Sequence, residues 1–152
     1  MTEVALAPDT TPQPPAMIVQ LLQKLAVPFQ VRQEQADLNP AQRVQAVLLE
    51  DELGALLALF PQSQLLDLSR LAELTGRKLV AVKPERLQRM LSKHQLALLP
   101  GLPALTSSPC LYEERLLQEP LLLIESGQAG VLLEIPSDAF KGLLSKASTA
   151  RF

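Results

Sequence analysis

The sequence predicts an α+β domain built around a mixed sheet. Two apolar runs separated by DELG predict a hairpin of well-buried strands. Elsewhere, segments with apolar residues at helical spacing alternate with short runs of strand character. Because local hairpins and helical crossovers occur in the same chain, we expect a mixed sheet with helices packed against it.

The composition is that of one globular domain without a metal, a cofactor or a membrane span. The chain has 152 residues, of which 47% are hydrophobic and 20% charged, and its net charge is −2. No apolar run reaches the roughly 18 residues that a spanning helix needs. One histidine, His94, and one cysteine, Cys110, cannot supply a closed zinc site without several carboxylates. The single cysteine excludes an internal disulfide, and without a recognisable secretory signal this predicts a cytoplasmic location.

The charge balance predicts no DNA partner. A slightly acidic chain is unsuited to broad phosphate binding. Its aromatic content of 3% is too low for a surface that stacks bases. Contact with RNA is therefore expected only locally, for example at one end of an RNA molecule.

The N-terminal elements are read from periodicity and from proline. Residues 1–15 are rich in Pro, Thr and Ala, lack periodicity and are predicted to be a disordered arm. A helix is predicted from Ala16 and is ended by Pro28. Its apolar stripe comprises Met17, Leu21, Leu22 and Leu25. FQVRQE then alternates like a strand, and NPAQR predicts a short helical turn with Asn39 as its cap.

The middle of the chain contains the hairpin and two helices. Its strands are VQAVLLE and ALLALFP, with Gly54 serving the turn. Asp67 is the predicted N-cap of the helix LSRLAELT, and Gly76 ends that helix. KLVAV predicts a strand, and Pro84 opens the helix ERLQRMLSK.

The last third begins with the Pro-rich loop LLPGLPALTSSPC at residues 98–110. A strand is expected where this loop ends, and PLLLIESG follows it. After that, QAG predicts a turn, VLLEI predicts a strand and PSDAFKGLLSKA predicts a final helix. The folded domain is expected over residues 16–146. Residues 147–152 are predicted to be a tail or the start of a linker, which makes a fused C-terminal regulatory domain a candidate partner.

Three stretches in this order resemble the YbaK and prolyl-tRNA-synthetase-associated editing domain family. They are MIVQLLQKLAVPFQVRQEQ, LLDLSRLAELTGRKLVAVKPERLQRML and LIESGQAGVLLEIPSDAFKGLL, and the likeness spans roughly Ala16 to Leu144. The resemblance implies a partly barrel-like sheet flanked by helices, with an apolar pocket for an aminoacyl group. It also implies that the partner is the aminoacylated end of tRNA, whose mischarged ester such domains hydrolyse without a metal.

The chain departs from the family pattern at two places. The family's K-T-L setting is matched by Gln45, Ala46 and Val47, so that a neutral glutamine replaces the lysine. The family's GGxxP loop is matched by LPGLPAL, in which Gly101 and Pro103 are the retained residues. Pro100 and Pro103 have no N–H, so an oxyanion hole made from backbone donors has fewer of them.

Arg43, Ser126 and Gly127 complete the candidate ligand-binding residues. Strand alternation places Arg43 on the same face as Gln45, where it is a candidate for the missing cation or a solvated arginine. Ser126 and Gly127 lie in the third matched stretch, and a glycine there allows a ligand to approach the backbone. A turn that ends a strand explains these two residues almost as well.

Other polar groups have simpler explanations. Cys110 is a candidate nucleophile without an adjacent base, and small buried cysteines are common. His94 at a helix end complements the helix dipole. The remaining polar candidates are hydroxyls that cap turns and basic residues on one face of a helix; they are Thr106, Ser107, Ser108, Lys83, Arg86, Arg89 and Lys93.

Two functions follow from the sequence. The favoured one is a binding module, an editing-type domain with a degenerate site that retains a pocket for an aminoacyl or amino-acid-like ligand or a tRNA end. The alternative is an active deacylase in which hydroxyls and backbone groups near Gln45, Gly101 and Gly127 position the attacking water. An interaction scaffold without a ligand is the third reading.

Overall fold

The computed structural model describes residues 12–106, 108–144 and 146–152. The predicted disordered arm lies outside the described residues from residue 1 to residue 11. The described helices are α1 (Ala16–Lys24), α2 (Leu68–Thr75), α3 (Pro84–Lys93) and α4 (Ser137–Leu143), with short 3-10 helices at Pro103–Leu105 and Glu114–Gln118. The described strands are β1 (Gln30–Gln33), β2 (Val44–Asp51), β3 (Gly54–Pro61), β4 (Val80–Ala81), β5 (Cys110–Glu113), β6 (Leu121–Glu125), β7 (Val131–Pro136) and β8 (Ser148–Ala150).

The strands form two sheets that meet without closing a barrel. A three-stranded antiparallel sheet has the order β1-β7-β6. A five-stranded sheet has the order β4-β2-β3-β5-β8, with parallel pairing of β3 with β5 and of β5 with β8. One parallel bridge between Arg43 and Leu123 joins the sheets, and the Leu123 N–H donates to the Gln42 carbonyl at 2.8 Å. The predicted α+β class and mixed sheet are confirmed.

The β2–β3 hairpin carries apolar side chains on both faces. Its register pairs Asp51 with Gly54, and Gly54 has a φ of +131°, which glycine adopts without strain. Val44 and Leu48 belong to one buried cluster, together with residues of α1, and Leu49 belongs to a second cluster on the α2 side. Because alternate side chains point to opposite faces, β2 is buried on both sides.

Helix α1 buries a slightly different stripe from the predicted one. Ile18 and Leu22 are fully buried, whereas Leu25 is 43% exposed. Leu25 is the C-cap of the helix and still donates to the Leu21 carbonyl, but Ala26 has a φ of +57°, so Leu25 lies at the very end of the helical path. Ile18 therefore replaces Leu25 as a core residue of the helix.

The helix boundaries set by capping residues are confirmed. The Asp67 carboxylate accepts the Arg70 N–H at 3.0 Å, and Gly76 ends α2 with a φ of +67°. Pro84 begins α3. Predicted strand KLVAV contributes only Val80–Ala81 to the sheet.

The C-terminal residues pack onto the domain, whereas the sequence predicts a tail or linker there. Ser148–Ala150 form β8, which pairs in parallel with β5. Phe152 is buried, and its ring meets that of Phe60 edge to face with centroids 6.2 Å apart. The fully buried Glu113 carboxylate accepts the Phe152 N–H at 3.3 Å. The three-residue strand is too short to give a periodic signal in the sequence.

Candidate functional site

The start of the Pro-rich loop and the turn after β6 form one local structure. The Gly127 carbonyl accepts the N–H groups of Ala97 at 2.8 Å and Leu98 at 3.3 Å. The buried Ser126 hydroxyl accepts the Gln128 N–H at 3.2 Å within the turn. We call residues 96–101 together with Ser126 and Gly127 the loop–turn site. It contains three of the sequence-predicted ligand-binding residues, Gly101, Ser126 and Gly127.

Both glycines of the loop–turn site lie against other residues. Gly127 has a φ of +98°, and a Cβ atom there would lie 2.7 Å from Leu96 Cδ2 and 3.4 Å from Pro100 Cγ. A Cβ on Gly101 would lie 3.5 Å from side-chain atoms of Val44 and Ile124. Gly127 is therefore required by backbone conformation and packing, and Gly101 lies on the Val44 face of β2.

Gln45 lies on the other face of β2, away from Gly101. The register pairs it with Phe60, which belongs to the cluster on the α2 side, and Gln45 itself is exposed. Ala46 is half-buried and packs against the same cluster as Val44. The predicted site around Gln45, Gly101 and Gly127 is thus divided by the sheet, with Gln45 outside it.

Arg43 is held by carboxylates. Its guanidinium lies 2.7 Å from Glu34 Oε1 and 3.3 Å from Glu125 Oε2, and its side chain is only 15% exposed. Burial raises the pKa of Glu125 above its ordinary value, an effect that the charge of Arg43 opposes. Because Val44 faces the Gly101 side, its neighbour Arg43 faces away from it, as Gln45 does.

The rest of the Pro-rich loop turns away from the loop–turn site. Pro103 begins a 3-10 helix and lines a separate cavity of about 630 Å³, together with Thr106 and Ser108. The Thr106 N–H donates to the Pro103 carbonyl at 3.3 Å. Ser107 lies outside the described residues. Among the residues described, no protein acceptor receives the N–H of Gly101 or of Leu102.

The other sequence candidates do not join this site. Burial raises the pKa of the Cys110 thiol to about 12, so this cysteine is neutral at physiological pH. His94 is exposed at the C-terminal end of α3. On the same helix, Arg86 forms an ion pair with Glu50.

Neither a metal cluster nor a membrane span is found in the part of the chain that the structure describes. Residues 12–106, 108–144 and 146–152 contain no group of three or more His, Cys, Asp or Glu side chains placed to share a metal ion. None of the helices described combines the length and apolar character needed to cross a bilayer.

Strand alternation indicates one residue that the candidate list lacks. The loop–turn site lies beside the face of β2 that carries Val44, Ala46 and Leu48. A lysine that serves this site from β2 is therefore expected at position 46 rather than 45. The sequence indicates this part of β2, because Ala46 lies within the segment matched to K-T-L. Which side chain of that segment points towards the loop–turn site is decided by the three-dimensional arrangement.

Comparison with known proteins supports one family. A family model described as the aminoacyl-tRNA editing domain matches residues 28–143. No protein of curated function matches the sequence significantly.

Solved structures share the fold. One belongs to a protein of Marinobacter aquaeolei VT8 described as a candidate signal transduction protein, with 28% identity and a TM-score of 0.82. The match covers 90% of this chain but only 30% of that protein. Another is described as a candidate trans-editing enzyme for prolyl-tRNA synthetase, with 22% identity, a TM-score of 0.76 and coverage of 93% and 98% of the two chains.

Proposed function

Since this chain belongs to the aminoacyl-tRNA editing domain family, we propose that it is a member with a degenerate site. In this proposal the domain binds the aminoacylated end of tRNA, or an amino-acid-like ligand, in the cytoplasm and does not cleave the ester. The observation that supports it is the absence of a β2 cation on the Gly101 side of the sheet. Gln45 and Arg43 both face away from Gly101, and Ala46 faces the same side as Val44.

The absence of a lysine on this face of β2 has a direct chemical consequence. A hydrogen bond from a charged donor is roughly twice as strong as one between neutral groups, and an ammonium also stabilises the charge that develops on the ester oxygen. Arg43 does not replace it, because its guanidinium is bound by Glu34 and Glu125. The Ser126 hydroxyl is hydrogen-bonded within its own turn. In this proposal the loop–turn site takes the place of the family's active site but has fewer groups that could stabilise a transition state.

A regulatory role agrees with a binding function. The Marinobacter protein is described as a candidate signal transduction protein, and the region similar to this chain makes up 30% of it. By analogy, we propose that this domain is the ligand-sensing part of a larger regulatory protein. Ligand binding here would then be read out by a fused C-terminal domain.

An active deacylase is the second candidate, and one observation favours it. The N–H groups of Gly101 and Leu102 donate to no protein acceptor among the described residues. Both residues are buried, and a backbone N–H of this kind is the donor that an oxyanion hole uses. This arrangement supplies hydrogen bonds without the charge of a lysine.

Deacylation and binding are measured on the same preparation. The purified protein is incubated with a panel of mischarged tRNAs, and a non-hydrolysable aminoacyl-amide analogue of the terminal adenosine is titrated by calorimetry. We expect saturable binding of the analogue and no deacylation above the blank. Gly101→Val should abolish binding by filling the space beside Val44 and Ile124. Leu65→Ala, at an exposed position outside the loop–turn site, should retain binding.

The outcomes separate the three readings. Deacylation above the blank that is lost in Gly101→Val would support the second candidate. Neither binding nor deacylation in a folded protein would contradict both and leave an interaction scaffold.

A further inference from the structure

A second concave site lies at the opposite end of α1 from the loop–turn site. The cavity of about 630 Å³ is bounded by Leu25, which follows α1, by residues 103–106 and 108–110 of the Pro-rich loop, and by residues at the end of α4. Pockets for small organic molecules usually have volumes of about 300–1,000 Å³. Pro15, which precedes α1, would lie 3.4 Å from a Cβ atom on Gly127, whereas Leu25, which follows α1, lines the cavity. The nine residues of α1 separate these ends by about 13 Å.

The cavity combines apolar walls with one positive charge. Leu25, Leu143, Pro109 and Ala147 supply aliphatic surface. Lys146 is the one charged side chain among the described residues that line it, and none of these is a carboxylate. The lining therefore attracts an anion and does not repel it.

Three neutral groups complement this charge. Thr106 and Ser108 line the cavity, and a hydroxyl can donate a hydrogen bond to an anionic oxygen. The Thr106 hydroxyl donates to the Pro103 carbonyl at 3.5 Å, a long bond that it can exchange for one to a ligand. The Cys110 thiol also lines it and carries no charge, because burial raises its pKa to about 12. A ligand thus meets no thiolate, and the cysteine forms part of the apolar wall.

We propose that this cavity binds a small organic anion that joins one carboxylate, sulfonate or phosphate group to a compact apolar body. The anionic group lies against Lys146 and the two hydroxyls. The apolar body contacts Leu25, Leu143 and Pro109. This site is separate from the loop–turn site, since Gly101, Ser126 and Gly127 do not line it, and its occupation does not depend on tRNA.

The test uses two fluorescent probes with the same aromatic body. Anilinonaphthalene sulfonate carries a negative charge, and N-phenylnaphthylamine is its neutral counterpart. We expect one saturable sulfonate site per chain in the full protein. Lys146→Gln should weaken sulfonate binding about two- to fivefold, because the Lys146 charge is exposed to water, which weakens its attraction to an anion. The same change should leave the neutral probe's affinity unchanged.

Two substitutions fill the cavity from different sides. A Cβ on Gly142 meets no atom within 4 Å, so Gly142→Leu is compatible with the fold and places a side chain at the cavity wall. Ala104→Trp fills the cavity from the Pro-rich loop. Both should reduce binding of both probes at least fivefold, whereas the control Leu65→Ala, at an exposed position that does not line the cavity, should retain it.

The proposal has clear points of failure. It is overturned if the folded wild-type protein shows no saturable sulfonate binding, or if Lys146→Gln weakens both probes equally. It is also overturned if both filling variants, shown by thermal unfolding to be folded, bind the probes as the wild type does. None of these measurements involves tRNA or ester hydrolysis, so their failure leaves the proposed function untouched.

Discussion

Moving a lysine by one residue along β2 tests where the editing-type site lies. The structure places Ala46 on the Gly101 side and Gln45 on the opposite side. Val44 and position 46 lie two residues apart on one face, about 6.7 Å along the strand. The four-carbon stem of a lysine at position 46 can therefore reach the surroundings of Gly101. We expect Ala46→Lys to create ester hydrolysis and Gln45→Lys to leave it at the level of the blank.

The size of the effect follows from a single charged hydrogen bond. Such a bond contributes about 1.5–3 kcal/mol. A stabilisation of about 1.36 kcal/mol in the transition state raises the rate tenfold. If the new hydrogen bond forms only in the transition state, the expected gain in rate is about tenfold to a hundredfold. Pro100 and Pro103 still provide no N–H, so full family activity is not expected. Ala46 is half-buried, so the new charge should also lower the melting temperature.

The assay is single-turnover deacylation of alanyl and cysteinyl esters on mischarged tRNA, because small side chains suit an apolar pocket. Thermal unfolding of both variants establishes that each is folded at the assay temperature. An equal or larger gain with Gln45→Lys would refute the assignment of the strand faces. A folded Ala46→Lys variant without any gain would refute the view that the missing cation limits hydrolysis and would direct attention to the loop.

Three further predictions concern stability and reactivity. Gly127→Ala should lower the free energy of unfolding by about 1–3 kcal/mol, because φ is +98° and the new Cβ lies 2.7 Å from Leu96 Cδ2. Gly142→Ala, whose Cβ meets no atom within 4 Å, should raise the free energy of unfolding by up to about 1 kcal/mol. Both variants are compared with the wild type in matched urea titrations, and equal effects would contradict the role assigned to Gly127. Because burial raises the pKa of Glu125, this group contributes stability that is present below its ordinary pKa and lost as pH rises through the raised value. Urea denaturation across that range should show the wild type losing stability relative to Glu125→Gln, and a difference independent of pH would count against it. Native Cys110, whose pKa is raised to about 12 by burial, should resist iodoacetamide at mildly alkaline pH until the protein is unfolded, and rapid native alkylation would exclude the buried neutral thiol.

Local signals in the sequence were enough for the fold class and for most element boundaries. Asp67 and Gly76 bound α2, Pro84 begins α3 and Gly54 turns the hairpin, as predicted. Each of these residues acts through its own backbone conformation or through a hydrogen bond to a near neighbour, so no distant part of the chain is needed. The family resemblance also depends on stretches of sequence rather than on contacts, and the family model supports it.

Distant contacts decided the composition of the candidate site. Glu125 is 82 residues from Arg43, and its carboxylate occupies a guanidinium that the sequence offered as a substitute cation. The pairing of β8 with β5 likewise joins residues far apart in sequence and converts a predicted tail into a strand. Neither interaction leaves a pattern in the segment where it acts.

The face of β2 that lies beside the loop–turn site was also decided by tertiary structure alone. The period of two places Arg43 and Gln45 together, but it does not say which partners their face meets. In most half-buried strands the polar residues mark the solvent side, whereas this strand has apolar residues on both faces, Leu48 on one and Leu49 on the other. Hydrophobic alternation is therefore uninformative here. Only the packing of Gly101 against Val44 showed that the site lies on the side of Ala46.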